Sequence, residues 1–427
     1  MTSENRVVVT GMGIIAPNGA NINDFCNSIM NGKSGIRFVQ ELSNLNFGCQ
    51  VGGVPETVNS IYQSYIEKYH LETASLMVQW AIIAALEAWE DAKLTIPEYN
   101  STETDYNTGI IIGSGIGSVD IFAEKIIPLT DQGNSKKLRS TIIEHSMLSA
   151  PGANLAGVLA VGNQVSFNSS ACSTGTEAII LGSERIKYGK AKRMIVGGVD
   201  IYSPYCWSGF DAMRVLNRKG NNEPEKASRP MSASASGFVP GAGAGVLILE
   251  EMQQAVNRGA KIYGEIVGGY INCGGQRNGG TMTAPNSEGV VACIKGALAD
   301  AQVEANQIDV ISGHLSSTMA DPIEIANWAK ALNRKNANFP FVNSLKSMTG
   351  HCIGAAGAIE TIAAFLQIKN QFIYPSINCE DLHPEITSLI SEDKIPQKCK
   401  KDIEINYIAK ASFGFGDVNS CLILKKI

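Results

Sequence analysis

One cysteine stands out by its surroundings. In Asn168-Ser-Ser-Ala-Cys172-Ser-Thr-Gly-Thr-Glu177 a thiol lies between a short strand-like run, Gln164–Phe167, and a stretch with helical spacing, Thr174–Tyr188. A cysteine at such a strand-to-helix turn faces unpaired N–H groups and the positive end of the helix dipole, and both favour thiolate over thiol. Thiolate is the attacking form, so thioester exchange is the natural chemistry. Ser173 and Gly175 keep the volume around it small. The alternative is an inert core cysteine, the commoner fate of a free thiol.

The chain has five histidines. His314 ends the strand-like run Asp309-Val-Ile-Ser-Gly-His314. His351 lies in Lys346-Ser-Met-Thr-Gly-His351-Cys-Ile-Gly-Ala-Ala-Gly357, where Gly350, Gly354 and Gly357 bracket a helix start. Each alone reads as structural. Two imidazoles in turns rich in glycine and hydroxyls, together with a helix-start cysteine, point to a composite site. His70 and His383 fall in charged stretches expected to be exposed, and His145 sits in a helical apolar–polar pattern expected to be structural.

Strands must deliver these residues to one place. Val7–Thr10, Gly109–Ile112, Met194–Gly197, Val246–Leu249, Val310–Ser312 and Cys421–Lys425 read as buried strands, and Leu76–Ala92 and Thr174–Tyr188 as helices. Leu76–Ala92 is apolar on most faces, as an interior helix is. Strands alternating with helices predict a layered α/β architecture. The length of 427 residues suits two core-forming halves, with a soft boundary near Glu250. Asn217–Ser236 is polar, holds Pro224 and Pro230, and reads as a long surface excursion.

Composition excludes several classes. Apolar residues make up 44 % and charged ones 18 %, a globular balance. The net charge of −5 leaves no general nucleic-acid footprint. Ten cysteines without a CxxC pair argue against a disulfide scaffold or a zinc ribbon. Met1–Arg6 is polar and not a signal peptide, and the apolar runs are too interrupted to span a membrane, so a cytoplasmic protein is expected. Val7-Val-Val-Thr-Gly-Met-Gly-Ile-Ile-Ala16 fits a loose dinucleotide pattern, but Pro17 falls where its helix should begin. Gly113-Ser-Gly-Ile-Gly117 and Gly241-Ala-Gly-Ala-Gly245 lack the P-loop lysine.

Taken together, Val7-Val-Val-Thr-Gly-Met-Gly13, Ala171-Cys-Ser-Thr-Gly175, Lys346-Ser-Met-Thr-Gly-His351 with Gly354-Ala-Ala-Gly357, and Ser412-Phe-Gly-Phe-Gly416 resemble the elongating β-ketoacyl-[acyl-carrier-protein] synthases, in order and over essentially the whole chain. The resemblance implies the double thiolase-like fold: an α/β protein of two βαβαβαβ halves, here 1–250 and 251–427, in an α-β-α-β-α layering. It implies decarboxylative Claisen condensation without metal or organic cofactor. Cys172 would take the acyl group from an acyl carrier protein. His314 and His351 would stabilise the enolate as malonyl loses CO2, and the backbone N–H groups of Cys172 and Phe415 would form the oxyanion hole. Lys346 would help hold the His351 tautomer, supported by Glu324. Ile116 and Phe210 would line the acyl pocket, with Thr283, Ser316, Thr318 and Phe413 also contacting acyl and malonyl thioesters. Arg214, Arg218 and Lys219 would meet the acidic carrier, the alternative being an ordinary solvated face. A homodimer, or a heterodimer with a paralogue, is implied.

The chain departs from that family pattern in several places. Leu315 replaces a glycine after His314, and Asp321 follows seven residues on, one short of the usual spacing. Ser232, Ala235 and Ala242 stand where the gating loop carries charges, and Asp417-Val418 replaces Gly-Thr. These changes predict a gate held by packing and an acyl entrance reshaped by Leu315. They favour a specialised polyketide, polyene or aryl-lipid synthase over housekeeping fatty-acid elongation. A degradative thiolase would carry a second cysteine near Phe413-Gly-Phe-Gly-Asp-Val, and none is there. A chain-length-factor-like partner subunit would lack the nucleophile, and a purely binding protein would have no use for Cys172, both histidines and Lys346.

Overall fold

The computed structural model describes residues 5–56, 60–98 and 101–427. Residues 1–4, within the segment read as lacking a leader, lie outside the described residues. The first half contributes β1 (Val7–Ile15), β2 (Thr108–Gly113), β3 (Val165–Ser166), β4 (Arg193–Asp200) and β5 (Gly243–Glu251). The second contributes β6 (Gly264–Cys273), β7 (Val310–Ser312), β8 (Phe341–Asn343), β9 (Tyr407–Gly414) and β10 (Val418–Lys425). Their hydrogen-bonded order is β8-β7-β9-β10-β6-β1-β5-β4-β2-β3. Counted within each half, both run 3-2-4-5-1. The senses match as well: the first three strands in space are mutually parallel, and the last two are added antiparallel. The halves join edge to edge where Val7–Val9 pairs antiparallel with Gly264–Ile266.

The helices supply the layers. α1 (Leu76–Asp91) and α2 (Ala150–Leu159) cover the outer face of the first half. α3 (Thr174–Lys187) lies inside, and α4 (Pro204–Ala212) follows β4. α5 (Ser287–Ala301) and α6 (Asp321–Leu332) cover the outer face of the second half. α7 (Ala356–Asn370) packs beside α3, and each of the two touches strands of both halves. Every residue of α7 from Ala356 to Ile368 is buried, which its small and apolar composition permits. Each Leu or Ile taken from water here contributes about 1.5–3 kcal/mol.

The six expected strands are present, Val310–Ser312 with the expected bounds and the other five longer than their apolar centres, because backbone pairing continues where the pattern stops. β1 runs on through Ile15, where a dinucleotide motif would turn into a helix. A Cβ on Gly11 or Gly13 would come within 2.0 or 1.9 Å of carbonyl oxygens of α1, so these glycines serve helix–strand packing. β3 is only Val165–Ser166, on the sheet edge. The polar stretch Asn217–Ser236 is not a surface excursion throughout. Asn217, Ala227, Ser228, Met231 and Ser232 are buried, because hydrogen bonds to the site turns draw the segment inward. His70 is exposed, and His383 is half-buried and caps the short helix Pro384–Thr387.

Candidate active site

Cys172 sits in a single 3-10 turn, Ala171–Ser173, that runs directly into α3. Ser173 Oγ donates to the carbonyls of Ser412 and Val418, so the turn is fastened to β9 and β10 of the other half. The backbone N–H of Phe415 points at the Cys172 sulfur. A Cβ on Gly414 would approach the Cys172 nitrogen to 3.1 Å, so glycine lets the two N–H groups converge. Burial pushes the thiol up to about 11, against the opposing pull of Lys346 and the Phe415 N–H. Desolvation thus opposes the thiolate that the helix start favours.

His351 Nε2 lies 3.1 Å from Cys172 Sγ. The Ile353 N–H donates to His351 Nδ1 at 3.1 Å, so the neutral ring carries its proton on Nε2. This corrects the role expected of Lys346, since a backbone amide fixes the tautomer. His351 is pinned through its own backbone to Val239 and Gly241. The ligand-type atoms of Cys172, His314 and His351 lie within 4.8 Å of one another. With Nε2 protonated, His351 has no lone pair aimed at that centre, and the trio is arranged to donate hydrogen bonds rather than to hold a metal. Burial first, and Lys346 second, hold both imidazoles well below their ordinary value, so both are neutral.

His314 ends the β7 turn, its ring 5.2 Å from that of His351. Its Nδ1 is buried without a protein partner among the described residues. Its backbone is held from two sides. Lys346 Nζ donates to its carbonyl at 2.6 Å, and Glu324 accepts its N–H and that of Leu315, each at 2.7 Å. Glu324 does not pair with Lys346 as expected. Lys346 pairs instead with Glu360 of α7, a residue absent from the sequence reading. Its signal was present as a lone acid inside the apolar run Ala356-Gly-Ala-Ile-Glu360-Thr-Ile-Ala-Ala-Phe365. Desolvation raises the Glu324 carboxyl to about 7.

Asp200, at the end of β4, was also missed. It is buried and accepts from Ser114 Oγ and from the N–H groups of Gly115, Ile116 and Gly354. It thus ties the turn bearing Ile116 to the turn bearing His351. Desolvation lifts it to about 6, against those four donors.

Aromatic rings surround the trio. Phe238 meets the His351 ring at 5.4 Å and Phe210 at 5.6 Å; Phe210 meets Phe415 at 6.1 Å, and Phe413 meets His314 at 6.2 Å. Ser316 and Thr318 are half-buried beside His314, their hydroxyls 3.2 Å apart. Thr283 is exposed, on the loop that accepts the Gly416 N–H through Met282. Leu315 is fully buried in the core of the second half, so its bulk is absorbed there and does not reshape an entrance.

The segment expected to rely on packing holds an ionic network. Arg229 pairs with Glu380 at 3.1 Å and with Asp381 at 3.0 Å, and Ser232 and Ser234 also donate to Asp381. Ser232 takes part in this network, whereas Ala242 is fully buried among apolar neighbours. Arg214 and Lys219 are exposed. Arg218 is exposed but committed, its guanidinium 3.3 Å from the Asp211 carboxylate.

Comparison with known proteins places this geometry. Residues 4–255 match the family profile for the Beta-ketoacyl synthase, N-terminal domain, and residues 263–380 that for the C-terminal domain. The chain is 34 % identical to 3-oxoacyl-[acyl-carrier-protein] synthase 2 of Vibrio harveyi, covering 100 % of this chain and 99 % of that one. It is 31 % identical to the chloroplastic synthase I of Arabidopsis thaliana, over 98 % of this chain and 86 % of that one. Among solved structures it resembles a type II polyketide ketosynthase in complex with its acyl carrier protein, at TM-score 0.87 and 30 % identity over 99 % of this chain and 100 % of that one. A β-ketoacyl synthase from Burkholderia phymatum is similar at TM-score 0.86 and 26 % identity, with the same coverage. No helix among the described residues is long and apolar enough to cross a membrane. With a cysteine, two neutral imidazoles and converging backbone donors at the junction of two like halves, the chain belongs to the β-ketoacyl synthases and is a condensing acyltransferase.

Proposed function

We propose that Cys172 carries an acyl group received from an acyl carrier protein and condenses it with malonyl-acyl carrier protein. The observation that carries this reading is the 3.1 Å contact of protonated His351 Nε2 with Cys172 Sγ, beside a neutral His314. In the first step the Cys172 thiol exchanges with the carrier thioester. The acyl carbon bonds to sulfur, the carrier arm leaves as its thiol, and the Cys172 proton accounts for that thiol. Acylation frees Nε2–H of His351 from the sulfur. His314 and His351 then donate to the carbonyl oxygen of malonyl as CO2 departs, and the unpartnered Nδ1 of His314 marks a place left for substrate. The C–C electron pair becomes an enolate, which attacks the acyl carbon. The N–H groups of Cys172 and Phe415 receive the tetrahedral oxyanion, often the largest contribution in acyl transfer. Collapse breaks the C–S bond, releases 3-oxoacyl-carrier protein and leaves Cys172 as thiolate, which takes a proton from solvent to regain the thiol.

The acyl chain belongs, on this reading, to polyketide- or polyene-type synthesis. The support is the departure of Ser232, Ala235 and Asp417 from the family pattern; one similar solved structure is a type II polyketide ketosynthase, and the curated relatives are 3-oxoacyl-[acyl-carrier-protein] synthases. The exposed edge strand Val165–Ser166 offers a pairing surface to a second copy or a paralogue. Intact mass after mixing with acyl-carrier protein tests the reaction: a stable acyl adduct on Cys172 is expected, and a non-catalytic partner subunit would show none. Competition between saturated and polyunsaturated acyl carriers tests the chain. Faster elongation of the saturated one would assign the enzyme to fatty-acid elongation.

A further inference from the structure

One buried charge has no place in the scheme above. Lys410 lies on β9 just before the Gly414-Phe415-Gly416 turn, alone in the apolar run Tyr407-Ile-Ala-Lys410-Ala, and its side chain is fully buried. Its ammonium donates to the Ala411 carbonyl at 2.6 Å and to Ser412 Oγ at 2.7 Å, and pairs with Glu360 Oε2 at 2.7 Å. The other oxygen of Glu360 pairs with Lys346, whose Nζ also donates to the His314 carbonyl. One buried carboxylate therefore bridges two buried ammonium groups, and the series ends on a site histidine.

A lone buried ion pair is neutral overall. Two ammonium groups on one carboxylate leave a net positive charge, and in a dry interior such a charge acts strongly. An enolate or a tetrahedral oxyanion is stabilised by it, and imidazolium is disfavoured. Lys410 adds to the downward pull that burial and Lys346 exert on His314 and His351. The groups facing Lys410 are Glu360, Lys346, Glu324, His314 and His351, with Cys421 on the adjacent strand. Burial pulls Lys410 itself downward, and Glu360 opposes that.

We propose that Lys410 is a positioning residue for condensation: it holds Glu360 against Lys346 and supplies a second buried positive charge behind His314 and His351. The proposal rests on the roles given to the two histidines.

Charge counting gives the test. Lys410→Met removes the net charge, and Lys410→Met with Glu360→Gln restores it, leaving Lys346 alone. Malonyl-carrier decarboxylation is measured against pH for both and for wild type, with thermal unfolding as the folding control. Lys410→Met should decarboxylate roughly 10- to 100-fold more slowly at neutral pH. Its acid limb should move to higher pH, because the imidazoles protonate more readily once the cation is gone. The double variant should bring the limb back toward wild type. Activity lost with the limb unmoved, and no recovery in the double variant, would mean that Lys410 only fills space. Should Lys410→Met not fold, Glu360→Gln alone against the double variant makes the same comparison, and an unmoved limb there overturns the proposal. A wild-type enzyme that does not decarboxylate malonyl-carrier protein would overturn the histidine roles themselves, and this proposal with them.

Discussion

The two halves use one backbone device for two kinds of chemistry. In each, the third strand in chain order leads to a non-glycine residue in the left-handed region, Ala171 at φ 49° and Ile353 at φ 50°. A 3-10 turn follows, Ala171–Ser173 or Ile353–Ala355, and then α3 or α7. The second residue of each helix is a glycine against the opposite helix: a Cβ on Gly175 would meet the Ala358 nitrogen at 2.7 Å, and one on Gly357 the Thr176 nitrogen at 2.5 Å. The first half places its functional side chain, Cys172, just after the left-handed residue. The second places His351 two residues before it, and turns the N–H of Ile353 onto the imidazole. A strained turn at a helix start supplies oriented N–H groups. Where the side chain stands relative to the turn decides whether they act on a nucleophile or fix a tautomer.

Removing either functional side chain tests that division most severely. Cys172→Ala should abolish both the acyl adduct and condensation while unfolding as wild type does. His351→Ala and His314→Ala should each slow malonyl decarboxylation by about 100- to 1000-fold. At least one of the two should still acylate Cys172, because transfer precedes decarboxylation. Unchanged decarboxylation in both variants would remove the imidazoles from the site.

The state of the thiol sharpens the first half of the comparison. With Cys172 pushed up to about 11, iodoacetamide should alkylate it about tenfold faster per pH unit from neutral pH upward. A plateau near pH 8 would mean that the helix terminus prevails over burial after all.

The chemistry was legible in the sequence where it is local. Cys172, His314, Lys346 and His351 sit among glycines and hydroxyls that announce turns, and turns at strand ends are where such folds place sites. What was illegible is which distant partner each group takes. Glu324 and Glu360 both lie in largely apolar helical stretches, and only the packing of α7 against strands of both halves brings Glu360 to Lys346. Asp200 lies beyond the apolar run Met194–Gly197, where nothing local marks it as a partner of two turns. The Arg229–Asp381 pair spans 152 residues of chain, so the residues around Ser232 gave no hint of the carboxylate that meets them. The likeness of the halves was implied by the family resemblance alone, since a shared strand order asks for matching burial and not for repeated residues.

If α3 and α7 are true counterparts, small substitutions at their crossing should cost alike. Gly175→Ala and Gly357→Ala each force a methyl against the partner backbone, which cannot give way as a flexible side-chain tip can. Each should destabilise by on the order of 2–3 kcal/mol in denaturant unfolding. One variant behaving as wild type while the other unfolds would show that the crossing is not equivalent from its two sides.

The smallest expected effect lies outside both junctions, at the end of α4. Phe210 of this helix faces the site, while Met213 and Tyr205 are exposed at 47 % and 49 %. Arg214 follows them, exposed and left-handed at φ 59°. Arg218 is held by Asp211, which also accepts the N–H groups of Gly48 and Cys49, so that arginine serves the fold. Of the two arginines, Arg214 is the one free to meet an acidic carrier protein. Arg214→Glu should raise KM for carrier-bound substrate by roughly 3- to 10-fold, an effect that fades in high salt, as rim charges do. Turnover of short thioester mimics should not change, since no chemistry touches this residue. Arg218→Glu should instead lower stability, by setting a second carboxylate beside Asp211, and should depress both substrates together. A loss shared equally by carrier-bound and short substrates in Arg214→Glu would make the whole turn structural and move carrier docking elsewhere on the rim.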